Sequence, residues 1–334
     1  MEGLRLSKAG PFRYLLPHQT VQKHTLLMKS RLLALSLMLA GIFSTSCLEE
    51  DYSDCYNIYK LVMSYKGDGK TEIFPEKINR VEMYVFDESD ACISSTVLSD
   101  DDVAARTTVL PPLPAGDYRI VCVANTHDTG MENLASRDYS QILFAANDYM
   151  DGKTVAGNDS LYYASTYYTI KEFSPMIYEE TQTVEFASSH YDVLVEVVNA
   201  PENIGRHPKI EIVGVSPQTD FENVAKGKPT DYIMKTVHDG VKTTTARNNI
   251  MRHKNQKDVY LKVTGEDGSE VALINFADHI EEFREYIDPS RHECLIPFKI
   301  EYGIPERPYP SDDMCAEITI SVPEWVVESV KPIF

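Results

Sequence analysis

Residues 113–125 read Leu-Pro-Ala-Gly-Asp-Tyr-Arg-Ile-Val-Cys-Val-Ala-Asn: a turn at Pro114-Ala115-Gly116, then a near-continuous apolar run from Tyr118 to Ala124. Such continuity marks a strand buried on both faces, at the centre of a sandwich. Working upstream, Val81, Met83 and Val85 alternate with Glu82, Tyr84 and Phe86, and the run ends at Asp87. Before that, Tyr59, Leu61, Met63 and Tyr65 alternate with Lys60, Val62 and Ser64, and Gly67-Asp68-Gly69 turns the chain. Period two is the strand signal. Helical stretches are few in this half, with room for a short one within Met131 to Phe144.

Downstream the pattern restarts around Thr181. Val184 and Phe186, Tyr191 to Val198, and Ile210 to Val215 read as strands. Val259–Val263 and Glu270–Ile274 flank Gly265-Glu266-Asp267-Gly268, where Asp-Gly suits a tight hairpin turn. Ile280, Phe283 and Ile287 within Asp278–Ile287 have helical spacing, with Asp278 as N-cap. Cys294–Tyr302 and Ala316–Val322 read as a last hairpin across a Pro-rich loop. Short, regularly spaced strands with one or two helices indicate β-sandwiches, and two series indicate two. The expected boundaries are 56–180 and 181–334, and 334 residues suit about two domains.

Charge excludes several partners. The chain has 32 basic and 51 acidic residues, net −19, which opposes nucleic acid and surface adsorption to anionic lipid. Near the start, Leu32–Phe43 (LLALSLMLAGIF) is too short to span a bilayer and suits the hydrophobic region of a secretory signal, with Lys29 and Arg31 before it. Residues 1–27 are polar and mixed, so a start at Met28 is expected, with 28–46 as the signal. Ser44-Thr45-Ser46 directly before Cys47 resembles the lipobox of bacterial lipoproteins, although Ser44 stands where Leu is usual. The resemblance implies cleavage between Ser46 and Cys47 and diacylglycerol plus an N-acyl chain, such as palmitate, on Cys47. A plain signal peptide is the bland alternative.

Residues 47–55 then form an acidic tether. Glu49, Glu50 and Asp51 look like the surface-export signal of Bacteroidetes lipoproteins, the alternative being a solvated spacer. Removing 1–46 leaves 26 basic and 50 acidic residues over 288, net −24. The anchor of such a chain has to be the lipid.

Catalytic patterns are missing from the sequence: no Gly-x-Ser-x-Gly, Gly-rich phosphate loop or His-Glu-x-x-His occurs. His190, His253 and His292 lack partners at metal-ligand spacing. Asp100-Asp101-Asp102 lacks the alternate spacing of a calcium loop and reads as a solvated loop. No enzyme activity, metal, cofactor or small-molecule substrate is expected. Of six cysteines, five remain beside Cys47; export permits pairing, and Cys294 with Cys315, or Cys55 with Cys122, are candidates. Asp159-Ser160-Leu161 resembles the O-glycosylation acceptor of Bacteroidetes, with Ser160 as the site.

Together these pieces resemble the fimbrillin-associated anchor subunits of Bacteroidales, lipoprotein anchors of type V-like fimbriae. The likeness rests on Cys47 followed by Cys55 and the strand Tyr56–Tyr65, on Val81–Asp87 ending Phe-Asp, and on Leu113-Pro114-Ala115-Gly116-Asp117-Tyr118. It continues in the hairpin and helix of Val259–Ile287 and in the terminal Ile318–Trp325. It implies two transthyretin-like β-sandwich domains in a mainly all-β chain. It also implies an outer-membrane, surface-exposed lipoprotein at the base of a fimbria, holding the lowest shaft subunit by strand complementation and limiting filament length. In related shaft subunits an Arg- or Lys-directed protease removes the first strand, whereas an anchor can keep it. Two rivals stay open: a tip or accessory adhesin of the same fold, and a surface glycan-binding lipoprotein. The second draws on 20 Tyr, with Tyr162-Tyr163 and Tyr167-Tyr168 as the candidate platform, against the simpler role of Tyr as a strand residue.

Overall fold

The alternating segments fold into twenty-one strands and a few short α-helices among the described residues, which in this computed structural model are 57–172, 178–222, 224–252, 257–303 and 318–326. The first half holds β1 (Ile58–Ser64), β2 (Val81–Phe86), β3 (Cys92–Val97), β4 (Thr107–Val109), β5 (Gly116–Ala124), β6 (Thr129–Glu132), β7 (Leu143–Ala146), β8 (Tyr162–Ile170), β9 (Glu179–Glu185) and β10 (Ala187–Ser188). The second half holds β11 (His190–Val198), β12 (Lys209–Val215), β13 (Gln218–Thr219), β14 (Ala225–Lys226), β15 (Thr230–Met234), β16 (Thr236–His238), β17 (Thr243–Met251), β18 (Tyr260–Thr264), β19 (Glu270–Asn275), β20 (Leu295–Tyr302) and β21 (Ile318–Ser321). The helices are α1 (Phe74–Lys77), α2 (Asp100–Ala105), α3 (Asn147–Met150) and α4 (Phe276–Glu282).

Two β-sandwiches result. In the first, sheet β4-β1-β9 covers sheet β10-β8-β5-β2-β3, and Leu61, Met63, Met83, Val85, Ile120, Cys122, Tyr168 and Val184 meet in its core. In the second, β16-β17-β11-β20-β21 and β15-β12-β18-β19 enclose Val193, Val195, Ile210, Ile212, Leu261 and Phe298. Each fully buried aliphatic chain contributes about 1.5–3 kcal/mol, so the pleat of a single strand such as β11 matters.

The apolar run Tyr118–Ala124 lies in β5, a central strand between β8 and β2. Ile120, Cys122 and Ala124 face the first core. Val121 and Val123 face a second cluster with Phe144, Phe221 and Met251. Both faces are buried because a four-stranded sheet, β14-β13-β7-β6, lies over the outer one. Its strands come from both halves of the chain.

That sheet corrects the helix expected within Met131–Phe144. Only a single 3-10 turn forms, at Tyr139–Gln141, while Met131 pairs with Phe144 across β6–β7 and Phe144 with Thr219 across β7–β13. A second correction concerns Thr181, placed at the start of the second domain. It lies in β9, which runs parallel to β1 with Lys60 opposite Thr181, and Val184 and Phe186 join the first core. The second sandwich's strands begin at His190. The helix expected at Asp278–Ile287 is α4, begun earlier by Asn275, whose side chain accepts from the N–H groups of Ala277 and Asp278. Asp100–Asp102 form the first turn of α2 rather than a loop. Ser99 accepts from Asp102 N at 3.2 Å, and carboxylates there suit the helix dipole.

Of the two disulfide candidates, one half of each lies among the described residues. Cys122 and Cys294 are buried free thiols, and burial pushes each up to about 12, which suppresses the reactive thiolate. Their candidate partners, Cys55 and Cys315, lie outside the described residues. Cys294 precedes β20, beyond the end of the β20–β21 ladder at which Lys299 pairs with Ser321.

Candidate functional site

β1 fills a slot. Its sequence alternates, so Tyr59, Leu61 and Met63 point into the first core and are nearly or fully buried. Both edges are hydrogen-bonded: antiparallel to β4 with Leu61 opposite Thr108, and parallel to β9 from Ile58–Glu179 to Ser64–Glu185. Ile58 N donates to Tyr178 O at 2.8 Å, Met63 N to Arg106 O at 2.8 Å, and Phe186 N to Ser64 O at 2.9 Å, so the ladder extends past both ends of the paired strands. Side chains lock the slot further. Tyr59 Oη accepts from Lys171 N at 2.9 Å, Tyr168 Oη donates to Lys60 O at 2.5 Å, and Lys60 pairs with Glu179 at 2.6 Å. A strand paired on both edges with its apolar face buried is the arrangement that strand complementation produces between subunits. Here the chain supplies the strand itself.

At the end of the slot, Tyr65 reaches the second sandwich. Its hydroxyl donates to Glu293 Oε1, Tyr162 Oη donates to the same oxygen at 3.3 Å, and Lys77 Nζ donates to Oε2 at 2.5 Å. Burial opposes ionisation of Glu293, but the Lys77 and Tyr65 hydrogen bonds outweigh it and hold the carboxyl below its usual range. Beside it, Asp68 accepts from His292 N at 2.8 Å and Glu293 N at 3.2 Å. Residues more than two hundred positions apart thus share one polar cluster, and no local pattern in the sequence signals it.

Of the expected site residues, Ser46, Cys47, Glu49, Glu50 and Asp51 lie outside the described residues, as does His253. Ser160 is half-buried on the wall of a cleft of about 400 Å³ between the sandwiches. Its Oγ accepts from Asn249 Nδ2 at 2.9 Å, a bond that a sugar on Ser160 must displace. Four of the cleft's charged side chains form two ion pairs, Arg247 with Asp192 and Lys77 with Glu293, and Glu76 also lines it. His190 is buried, its Nδ1 bonded to Leu161 O at 2.9 Å, and burial pushes its pKa down. Among the described residues no three His, Cys, Asp or Glu side chains converge to hold a metal.

The tyrosine pairs separate by the pleat of β8. Tyr162 and Tyr168 are buried in the first core, and Tyr163 is half-buried. Tyr167 alone is open, 61% exposed, and its hydroxyl accepts from Arg119 Nε at 2.8 Å. The four rings therefore present no continuous aromatic platform.

Comparison with known proteins fits this architecture. Residues 52–331 match the family model described as fimbrillin-A associated anchor proteins Mfa1 and Mfa2. The major fimbrium anchoring subunit FimB of Porphyromonas gingivalis is 28% identical over 199 residues, 55% of this chain and 63% of the relative. A further FimB sequence from that species is 31% identical over 125 residues, 35% of this chain and 39% of the relative. The chain thus spans less than two thirds of the length of these curated relatives. The solved fimbrial anchor protein Mfa2 from Porphyromonas gingivalis superposes with a TM-score of 0.61 at 17% identity, covering 80% of this chain and 98% of that one. At that identity the superposition speaks to the fold, and the family rests on the sequence match. With two β-sandwiches in place and the family model spanning 52–331, this chain belongs to the fimbrillin-A associated anchor proteins.

Proposed function

We propose that the chain is an outer-membrane lipoprotein that fixes a fimbria to the cell surface through acyl chains on Cys47 and holds the basal shaft subunit by strand addition. One observation carries this reading. From Cys47 onward the first Lys or Arg is Lys60, and Lys60 lies inside β1, paired with Val109 on one side and Thr181 on the other. A protease that cuts after Lys or Arg has no site between the lipidated cysteine and the strand, so the link from lipid to fold survives export. The acidic net charge leaves the lipid as the physical means of attachment. Because β1 fills its own slot, a strand of the shaft subunit is added to this chain at an unpaired sheet edge instead. An end that is fixed and already complemented also closes the filament at the cell, so the supply of this chain bears on filament length.

Mass spectrometry of the chain from native outer membranes tests the reading, with Cys47→Ala as comparison. The expected result is an N-terminal peptide beginning at Cys47 with added acyl mass, and fimbriae shed into the medium by the variant. An acylated N-terminus without shedding would favour a glycan-binding lipoprotein. Cleavage after a downstream Lys or Arg, leaving no lipid, would make the chain a tip or accessory subunit.

A further inference from the structure

Edge strands expose unpaired backbone groups and are normally blunted by charge, proline or shortness. Among the described residues, β9, β15 and β19 are edges that carry Asp or Glu, and β4, β6, β10, β14, β16 and β21 have four residues or fewer. β3 is the exception. It is an edge of six residues, Cys-Ile-Ser-Ser-Thr-Val, with no charge and no proline. Ile93 is 46% and Val97 51% exposed.

The ladder shows which groups of β3 are free. Leu98 N donates to Val81 O at 2.9 Å, and Glu82 faces Val97, Met83 Thr96, Tyr84 Ser95 and Val85 Ser94. Hydrogen-bonded and non-bonded pairs alternate in an antiparallel ladder. Ser94 and Thr96 therefore bond to β2, while the N–H and C=O of Ser95 and Val97 point away from it. The ends of the strand are acidic: Asp87, Glu88 and Asp90 precede it, and Asp100, Asp101 and Asp102 follow it.

We propose that β3 is the docking edge for the basal shaft subunit, which adds an extended, uncharged segment with Lys or Arg at its ends. This inference rests on the anchor reading above and goes further by assigning the surface. An uncharged centre of about 20 Å, at roughly 3.3 Å per residue, suits a neutral strand, and carboxylates at both ends suit basic flanks. A second copy of the chain fits poorly, since two β3 strands in either direction bring acidic end against acidic end.

Fimbriated cells carrying Ser95→Pro test the edge. Proline there removes one outward N–H and leaves the bonds of Ser94 and Thr96 to β2 intact. The expected result is shed fimbriae while the acylated chain stays in the outer membrane at wild-type level, because a lost backbone bond weakens the hold by roughly tenfold. A charge-reversed variant, Glu88→Lys with Asp100→Lys and Asp101→Lys, leaves the strand untouched and decides the matter if the proline variant misfolds; it too is expected to shed. Retention by Ser95→Pro cells, with shedding by Cys47→Ala cells, overturns the edge alone. Retention by the charge-reversed cells overturns the basic-ended partner. A purified wild-type dimer that Ser95→Pro converts to monomer assigns the edge to a second copy and overturns the proposal. Retention by Cys47→Ala cells overturns the anchor reading itself.

Discussion

His279 lies face to face with Phe298, ring centroids 4.0 Å apart. Its Nε2 is 2.9 Å from Pro297 O, and its buried Nδ1 has no partner. Burial pushes its pKa down to about 4, with the Pro297 carbonyl partly opposing. The unfolded chain takes this proton near pH 6.5 and the fold refuses it until about pH 4, so stability is full above 6.5 and falls as pH drops through that window. The slope is at most about 1.4 kcal/mol per pH unit from this group, and buried His190 adds in the same direction. Urea midpoints at pH 7 and pH 5 check it: the wild type should lose stability on acidification and His279→Gln should lose less. Glu293 makes the complementary case. Glu293→Ala leaves Lys77 and two tyrosine hydroxyls without their acceptor, and should cost about 1–3 kcal/mol in a denaturation midpoint. Neither residue was legible beforehand. His279 falls within a stretch read only for its apolar spacing, and the Glu293 cluster joins positions 65, 77 and 293, which nothing local connects.

At the scale of elements, the alternation of Tyr59, Leu61 and Met63 was legible because one face of β1 is core and the other half-exposed. The continuity of 118–124 was legible because a second layer covers β5. What eluded reading was partnership. β9 carries three Glu and one buried side chain, Val184, so its pattern says strand without saying which sheet. The backbone ladder with β1 and Val184 in the first core hold it in place, while the exposed pairs Lys60–Glu179 and Lys66–Glu185, at 2.6 and 3.2 Å, add little. Two outcomes follow for β1. Leu61, fully buried, should cost about 2–5 kcal/mol on change to Ala, read as a lowered denaturation midpoint. Trypsin under native conditions should leave the bond after Lys60 intact, since an extended substrate must leave both neighbours to enter a protease; a cut there in the folded protein would show that β1 is loosely held and the slot open to exchange.

For the whole molecule, the decisive element is the sheet shared by both halves of the chain. β7 from the first half pairs with β13 from the second, Ala145 opposite Gln218, and Gln218 Nε2 also donates to Glu132 Oε2 at 2.6 Å. Beneath that sheet, Phe221 stacks on Tyr139 at 5.1 Å and meets Phe144 at 5.7 Å. The apolar cluster there holds Val121 and Val123 from the first half with Phe221 and Met251 from the second. Opening either sandwich exposes part of this shared cluster, so unfolding one removes support from the other. Calorimetry of the wild type should therefore give a single transition whose van't Hoff and calorimetric enthalpies agree. Phe221→Ala, costing about 3–5 kcal/mol, weakens the shared layer while leaving the cores around Leu61 and Leu261 whole. It should lower the melting temperature and split the transition in two. Two transitions already present in the wild type would mean that the sandwiches unfold independently and that the shared sheet couples nothing.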